Sequence, residues 1–271
     1  MKILHIWDQA GVACILAKHQ RKLGHDVRIM KRAGYDPFGI FEFYGEPQLE
    51  VDGKSFIKKA IGEARDYDIV HVHSLYKIIP EMRSKYAQKK LVLHYHGSEA
   101  RKETKDSVQL DAEQDSNAVI GSTTDLMPYV GNDMIYVPNP VDTEHFKPTV
   151  VSRSLGANAF TFKTTGANMS WVLRYLKDNN IDVKVDVLDR QETPVPYSLM
   201  PETLARYSTY IDLKYVAGAL LQSSSKTALE CLACGLRVLD HKLQYREKLP
   251  EEHRPERVAE QVLEIYHKSL S

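Results

Sequence analysis

The sequence predicts an α/β protein made of two parallel-sheet domains. Short apolar segments alternate with amphipathic segments along most of its 271 residues, a length that allows two small domains. The first segment, "KILHIW" (2–7), is an almost continuous apolar run, which is typical of a strand buried on both faces. Near the middle of the sequence, Pro138 and Pro140 interrupt this alternation, and two prolines this close cannot lie inside a sheet.

The first half of the sequence indicates a βαβ unit followed by further strands. After the first strand, Val12, Leu16 and Leu23 share one face of a helix, and Gly24 is placed to end it. Residues 26–30 form the next strand, and such a crossover implies parallel pairing. The other predicted elements are an amphipathic helix at 56–65, a short helix at 124–130, and strands at 68–74, 90–98, 117–123 and 133–142.

The second half continues the alternation after a hinge that we place at 138–150. Its predicted strands are 158–165, 183–189, 211–216 and 236–241, and its predicted helices are 169–179, 201–210, 226–235 and 255–270. We therefore expect an N-terminal domain at 1–145 and a shorter C-terminal domain at 146–271. Packing of helix 255–270 back toward the N-terminal domain remains an open alternative. In two such domains facing a cleft, ligands bind beyond the carboxyl ends of the strands.

Composition narrows the class of protein. Lys+Arg and Asp+Glu both number 36, so the zero formal charge argues against a protein built for nucleic-acid binding. Three cysteines in a chain of this size do not suggest a disulfide framework. The N-terminal segment becomes polar too soon to be a signal peptide. No stretch of the sequence has the roughly 18 consecutive apolar residues that a membrane-spanning helix needs. We expect a cytoplasmic protein, with peripheral contact at the inner membrane face left open.

Several segments, taken in order, resemble the glycosyltransferases of the GT-B fold, specifically group 1 or family 4. The matching segments are "DQAGV" with "LAKHQRKLGHDV", "DIVHVHS", "LHYHGSE", "VPNPVDTEHFKP", "YSTYIDL" and "KTALECLACGLRVL". The hinge and donor-helix segments are the most specific, and the match is poor between about 149 and 200. The resemblance implies two Rossmann-like domains that face a cleft.

The resemblance also implies a reaction: transfer of a hexose from a nucleotide-diphosphate sugar to an acceptor hydroxyl, with retention and without metal. Backbone N–H groups, helix N-termini and basic side chains would then stabilise the leaving diphosphate. The expected partners are the nucleotide sugar and a glycan, lipid-linked or other hydroxyl acceptor, in cell-surface or lipid-linked glycan assembly. We expect no nucleic-acid partner and no cofactor beyond the donor substrate.

The segment "QSSSKTALECLACG" (222–235) carries most of the expected site. By resemblance, the Glu230 carboxylate accepts hydrogen bonds from ribose hydroxyls. Gln222 stands where the family has an acid, so it keeps the hydrogen-bonding capacity and loses the charge. Ser225 or Thr227 would be a good helix N-cap. The expected donor-binding residues are Gly11, Ser223, Ser224, Ser225, Lys226, Thr227 and Glu230, and the expected catalytic residues are His96 and Gln222.

Two features near the N-terminal strands have more than one interpretation. Gly11 either lets backbone N–H groups approach donor phosphates or simply forms a strand-to-helix turn. His96 would contact the donor near the reacting carbon, or it is a polar strand-end residue. His71-x-His73 and His94-x-His96 have a spacing that puts each pair on one strand face, but no acid or cysteine nearby completes a zinc site, so we expect none.

The remaining residues leave the function open at two points. The Arg/Lys pair that grips the diphosphate in the family has no clear counterpart, and the available cations are Arg153, Lys163 and Arg174. Cys231 and Cys234 fall inside a helix and are expected in its core. A catalytically weakened module that binds a nucleotide, a glycan or a partner is therefore an alternative to a transferase, and a nucleotide-sugar 2-epimerase is a third.

Overall fold

The computed structural model divides the chain into two compact units, which are described separately. The first unit contains residues 1–140 and 252–271, and the second contains residues 141–251. The structure describes residues 1–101, 104–131, 133–149, 159–163, 168–216 and 218–270.

The first unit is built on a six-stranded, wholly parallel sheet. Its strands are β1 (Lys2–Ile6), β2 (Asp26–Met30), β3 (Ile69–His73), β4 (Lys90–Tyr95), β5 (Ala118–Gly121) and β6 (Ile135–Tyr136). They lie in the order β2-β1-β3-β4-β5-β6, so the direction of winding reverses between β1 and β3. A reversal of this kind opens a crevice at the carboxyl ends of the two strands, where ligands bind in open α/β sheets.

Helices follow most of these strands. They are α1 (Val12–Lys22), α2 (Ile40–Tyr44), α3 (Gly53–Glu63), α4 (Ile79–Lys85), α5 (Ser107–Asp115) and α6 (Met127–Val130). Helix α1 ends as the sequence predicts, because Gly24 has a φ of +83° and its N–H bonds back to the Arg21 carbonyl. Strand β3 is buried at every position, as expected for a parallel strand covered on both faces.

The second unit contains a smaller, mixed sheet. Its strands are β7 (Ala159–Phe162), β8 (Val185–Leu188), β9 (Thr209–Ile211), β12 (Arg237–Leu239) and β13 (Tyr245–Arg246), and a separate hairpin is formed by β10 (Tyr215–Val216) and β11 (Ala219–Leu220). The sheet order is β13-β12-β9-β7-β8, and only the β12–β13 pair is antiparallel. Winding therefore reverses between β7 and β9, which marks a second crevice edge.

Among the described residues, three further helices lie in the second unit and a fourth belongs to the first. They are α7 (Met169–Asp178), α8 (Met200–Leu204), α9 (Lys226–Ala233) and the terminal α10 (Pro255–Leu270), which belongs to the first unit. Single 3₁₀ turns occur at Ala64–Asp66, Tyr76–Ile78, Thr124–Leu126, Tyr197–Leu199 and Glu251–His253. Within the described parts of the chain, no helix is both long and apolar enough to cross a bilayer.

The structure corrects several predicted elements. The predicted helix at 201–210 stops at Leu204, because the β-branched and aromatic residues at 209–211 pair with β7 and β12 instead. The predicted strand at 211–216 is thereby divided between β9 and the hairpin. The predicted strand at 133–142 is reduced to Ile135–Tyr136. Helix α5 was not predicted, since only Gln109 and Ala112 of it are buried and no apolar stripe marks it.

We predict opposite effects on stability for alanine at two glycines near helices. Gly11 has a φ of +81°, a conformation that costs an L-residue about 1–2 kcal/mol, so Gly11→Ala should lower the free energy of unfolding by about this amount. Gly62 is exposed within α3 and has no atom within 4 Å of an added Cβ, so Gly62→Ala should stabilise by about 0.5–1 kcal/mol. Urea unfolding measures the free energy of unfolding of both variants. A Gly11→Ala variant as stable as the wild type would contradict the left-handed turn before α1.

Candidate functional site

Backbone strain is concentrated where β1 and β3 end. Trp7, Ala10 and Ser74 have φ values of 72°, 54° and 61°, in the left-handed region that residues other than glycine rarely occupy. Trp7 and Ser74 directly follow the two strands between which the winding reverses. Strained residues persist only where the surrounding structure enforces them, and they cluster at functional sites. This edge of the first sheet is therefore the site candidate of the first unit.

Asp8 fills the N-terminal end of α1 at this edge. Its carboxylate is buried and accepts hydrogen bonds from the N–H groups of Gly11 at 2.9 Å and Ala13 at 2.7 Å. The buried ammonium of Lys31 lies 3.8 Å from the same carboxylate. The amides expected to meet a donor phosphate are thus already satisfied by an internal anion. The role predicted for Gly11 requires a phosphate to displace Asp8 from these amides.

His96 lies at the end of β4, half-buried, with both ring nitrogens engaged. Its Nε2 is 3.0 Å from Nδ1 of His73, and its Nδ1 is 2.8 Å from the hydroxyl of Ser122. Its backbone N–H donates to the Glu99 carboxylate at 2.5 Å. Burial lowers the pKa of His96, against the opposing effect of Glu99. A proton donated by this ring to a ligand would break one of these hydrogen bonds.

Five histidines form a cluster across β1, β3 and β4, which we call the histidine cluster. Its members are His5, His71, His73, His94 and His96. Burial lowers the pKa of His5 to about 4 and lowers those of the other four. Nitrogens of His5, His71 and His73, and of His73, His94 and His96, lie close enough to form two groups that could hold a metal ion.

The second unit places the serine turn beside Asp212, the residue after β9. Asp212 is buried, and its Oδ2 accepts a hydrogen bond from the N–H of Ser225 at 2.9 Å. Ser225 is the N-cap of α9, since its hydroxyl accepts from the N–H of Ala228 at 3.1 Å. This confirms one of the two predicted caps. Among the described residues, the other Asp212 oxygen, Oδ1, has no hydrogen-bond partner.

Glu230 lies on the second turn of α9, buried and close to two cations. The Lys226 ammonium is 3.6 Å from its carboxylate, and the two side chains are 12% and 7% exposed. Burial raises the pKa of Glu230, while Lys226 and Arg190 act in the opposite direction. The Lys226 side chain is therefore largely shielded from solvent. The arrangement is a buried carboxylate that attracts hydroxyl donors, flanked by positive charge that attracts an anion.

Arg190 is a candidate that the sequence analysis missed. It follows Asp189, the first residue after β8, and its guanidinium lies 5.2 Å from the centre of the Phe162 ring at the end of β7. Burial lowers its pKa, and the Glu230 carboxylate opposes this effect. Its position in the sequence could have identified it, because Arg190 directly follows the predicted strand at 183–189, at the sheet edge where ligands bind.

The other predicted residues are spread around the same helix. Ser223 and Ser224 are half-buried in the turn before α9, Thr227 lies in its first turn, and Gln222 is exposed. These serines and Thr227 lie at the helix N-terminus with Ser225 and Lys226. The structure gives no contact between Gln222 and Glu230.

The three cations considered from the sequence differ in their surroundings. Lys163 forms an ion pair with Asp189 at 2.6 Å. Arg174 is exposed in the middle of α7, and Arg153 lies outside the described residues. Cys231 and Cys234 are buried as predicted, and burial raises the pKa of both thiols, that of Cys234 to about 12. Neither thiol therefore forms a reactive thiolate at neutral pH.

Comparison with solved structures identifies the architecture. An α-glucosyltransferase, solved with UDP and a 13-mer DNA containing a central A:G mismatch, aligns with a TM-score of 0.55 at 14% identity, over 100% of this chain and 90% of its own. The UDP-N-acetylglucosamine 2-epimerase of Rickettsia bellii aligns with a TM-score of 0.51 at 9% identity, over 100% and 97%. S. aureus MnaA, solved with UDP, gives 0.51 at 10% identity, over 99% and 90%.

No family model matches the sequence, and no curated protein sequence matches it either. At 14% identity or below, the structural likenesses bear on the fold. They extend over both units of the chain and agree with the resemblance of the sequence motifs to the GT-B fold. The chain therefore has the GT-B glycosyltransferase fold, with two Rossmann-like α/β units.

Proposed function

We propose that the protein is a GT-B glycosyltransferase that moves a hexose from a nucleotide-diphosphate sugar to an acceptor hydroxyl. The observation that carries the proposal is the buried Glu230 carboxylate at the start of α9, with Lys226 and Arg190 acting on it. A carboxylate accepts both hydroxyls of a ribose, and adjacent cations complement a diphosphate. The UDP complexes of two structural neighbours, the α-glucosyltransferase and MnaA, support the choice of nucleotide.

The leaving diphosphate needs its growing negative charge stabilised as the bond to the sugar breaks. Lys226 and Arg190 supply positive charge at this edge, and the N-terminus of α9 adds the partial charge of its peptide dipoles. The half-buried Ser223 and Ser224 offer hydroxyls at the same end of the helix. We infer that these groups make the transfer independent of a metal ion, and that it proceeds with retention.

Gln222 sets a limit on the chemistry of the donor site. Its amide can hydrogen bond to sugar hydroxyls, but it cannot supply the charge of the acid that the family has at this position. We propose that Gln222 binds the hexose and that His96 contacts the donor. We propose that the reaction belongs to cell-surface or lipid-linked glycan assembly, and that the protein is cytoplasmic, either soluble or loosely attached at the inner membrane face.

A second candidate function is a GT-B module that binds a nucleotide sugar or glycan without transferring it. Two observations favour it: Asp8 already occupies the amides at the start of α1, and both ring nitrogens of His96 are engaged. Either feature alone would weaken an active site that needs an open anion pocket or a mobile proton. Nucleotide binding without product formation would support this alternative.

Replacement of Glu230 should weaken UDP binding. Loss of hydrogen bonds to a charged acceptor costs about 1.5–3 kcal/mol, so Glu230→Ala should raise the Kd for UDP about 10- to 100-fold in titration calorimetry. Glu230→Gln, which keeps one acceptor, should fall between. Lys184→Ala, an exposed position of the same unit, is the matched control. Unchanged UDP affinity in Glu230→Ala would remove the basis of the proposed site.

Replacement of Arg190 should affect diphosphates more than monophosphates. A guanidinium that pairs with a phosphate is a strong, charge-assisted partner, so Arg190→Ala should weaken UDP about tenfold and UMP much less. Arg174→Ala removes the same side chain from an exposed helix position and should leave both affinities unchanged. An equal loss for UDP and UMP would show that Arg190 supports the fold of the pocket and does not contact the diphosphate.

Product analysis separates the enzyme classes. Incubation with a panel of nucleotide sugars, with and without glycan or lipid-linked acceptors, should give acceptor-dependent release of the nucleoside diphosphate, and Glu230→Ala should reduce it at least tenfold. Isomerised sugar formed without acceptor would indicate a 2-epimerase. UDP binding with neither product, across the panel, would leave the binding module as the function.

A further inference from the structure

A single buried hydrogen-bond path runs through the histidine cluster and ends on two helices. In order along the path, its side chains are Gln20, His5, His73, His96, Ser122, His94, His71 and Tyr266. Gln20 belongs to α1 and Tyr266 to the terminal helix α10. Each imidazole contributes both of its ring nitrogens, and apart from His96 every side chain of the path is at most 1% exposed.

The distances along the path are those of real hydrogen bonds. Neighbouring imidazole nitrogens are 2.9 to 3.2 Å apart. The Ser122 hydroxyl is 2.8 Å from Nδ1 of His96 and 2.9 Å from Nε2 of His94. At the ends, the Gln20 carbonyl oxygen is 2.8 Å from Nε2 of His5, and the Tyr266 hydroxyl is 2.5 Å from Nδ1 of His71.

The end at Gln20 fixes where every proton must be. An amide oxygen only accepts, so Nε2 of His5 carries the proton and its Nδ1 must accept. Nε2 of His73 then donates to His5, and Nε2 of His96 donates to His73. The Ser122 hydroxyl donates to His96 and accepts from Nε2 of His94.

Matching each donor to an acceptor in the same way assigns the protons as far as Tyr266 at the other end of the path. Nε2 of His71 donates to His94, and the Tyr266 hydroxyl donates to His71. A neutral imidazole has one donor and one acceptor, so with the Gln20 oxygen facing His5 the tautomer with the proton on Nε2 is the one that satisfies every contact at once. Any mixture of tautomers would leave two protons, or two lone pairs, facing each other in the core. Complete burial, which lowers the pKa of these histidines, agrees with neutral rings.

We propose that this path is a positioning device: Ser122 and His73 hold His96 as a neutral imidazole with its proton fixed on Nε2, so that it neither donates nor accepts a proton at the site. The proposal rests on the proposed function in one respect, namely that His96 lies near the bound donor. A ligand would then meet the edge or face of a fixed, uncharged ring and the backbone at His96–Gly97. This assigns His96 a role in shape and polarity, in contrast to the acid–base role suggested by its residue type.

A metal ion in the histidine cluster is the competing account. Ion binding by His73, His94 and His96 would take a nitrogen from at least two hydrogen bonds of the path. It would also bury a positive charge among neutral ligands, which costs free energy unless an anion compensates it. The hydrogen bonds satisfy both nitrogens of each ring without an ion, so the geometry favours the path.

Histidine tautomers can be read directly from long-range ¹⁵N–¹H correlation spectra of protein labelled with ¹⁵N-histidine. We expect five histidines in the neutral Nε2–H form that do not titrate between pH 5.5 and 8, assigned by His→Gln substitution at each position. The exposed His267 is the internal reference for a solvent-exchanging ring. An Nδ1–H form or an imidazolium at any of the five positions would overturn the proposal, as would a stoichiometric transition metal in the purified wild type that is absent from His73→Gln.

Ser122 variants test the positioning role separately. Ser122→Ala should shift the signals of both His94 and His96 and lower kcat about tenfold or more with little change in donor KM, while Ser122→Thr, which keeps the hydroxyl, should retain the wild-type tautomers and activity. Unchanged spectra in folded Ser122→Ala would refute the path. The spectra of the wild type can be recorded without any activity, so a protein that transfers no sugar could still show the path. Failure of the path is therefore distinguishable from failure of the proposed function.

Discussion

Parallel strand pairing places the candidate groups of each unit on one edge of its sheet. In the first sheet, the register sets His5 opposite His71 and His73 opposite His94, which brings three separate sequence segments into hydrogen-bond contact. In the second sheet, the parallel crossover from β9 to β12 carries α9 between them, so the helix begins beside Asp212. The positions of the remaining groups follow from these two pairings.

The two edges hold different sets of charged groups. In the first unit, the Asp8 carboxylate accepts hydrogen bonds from the N–H groups at the start of α1, and burial lowers the pKa of His73 nearby. In the second unit, the Lys226 ammonium lies 3.6 Å from the buried Glu230 carboxylate on α9, and Arg190 also acts on this carboxylate. A ligand that carries both hydroxyls and a diphosphate matches the second set of groups. The proposed division of labour therefore places the nucleotide in the second unit and gives the first a shaping role.

Much of the fold could be predicted from the sequence because its signals are local. Apolar runs indicated the parallel strands, Gly24 marked the end of α1, and Ser225 was one of two predicted caps for α9. Helix α5 gave no such signal, and β10 and β11 could not be separated in the sequence because their residues continue an apolar segment.

The site was less predictable, since it depends on contacts between distant segments. Glu230 could be selected by resemblance, but the nearness of Arg190 follows only from the folded second sheet. The spacing of His71-x-His73 and His94-x-His96 showed which faces they share. It could not show that His5 and Ser122 complete a path with every nitrogen engaged, because these contacts join separate segments of the chain.

A crystal structure with UDP soaked in tests the central claim most directly. The account predicts electron density for the ribose within hydrogen-bond distance of Glu230, and for the diphosphate beside Arg190, Lys226 and the first turn of α9. Ordered UDP elsewhere on the protein, or an empty edge at a UDP concentration that saturates binding in solution, would contradict it.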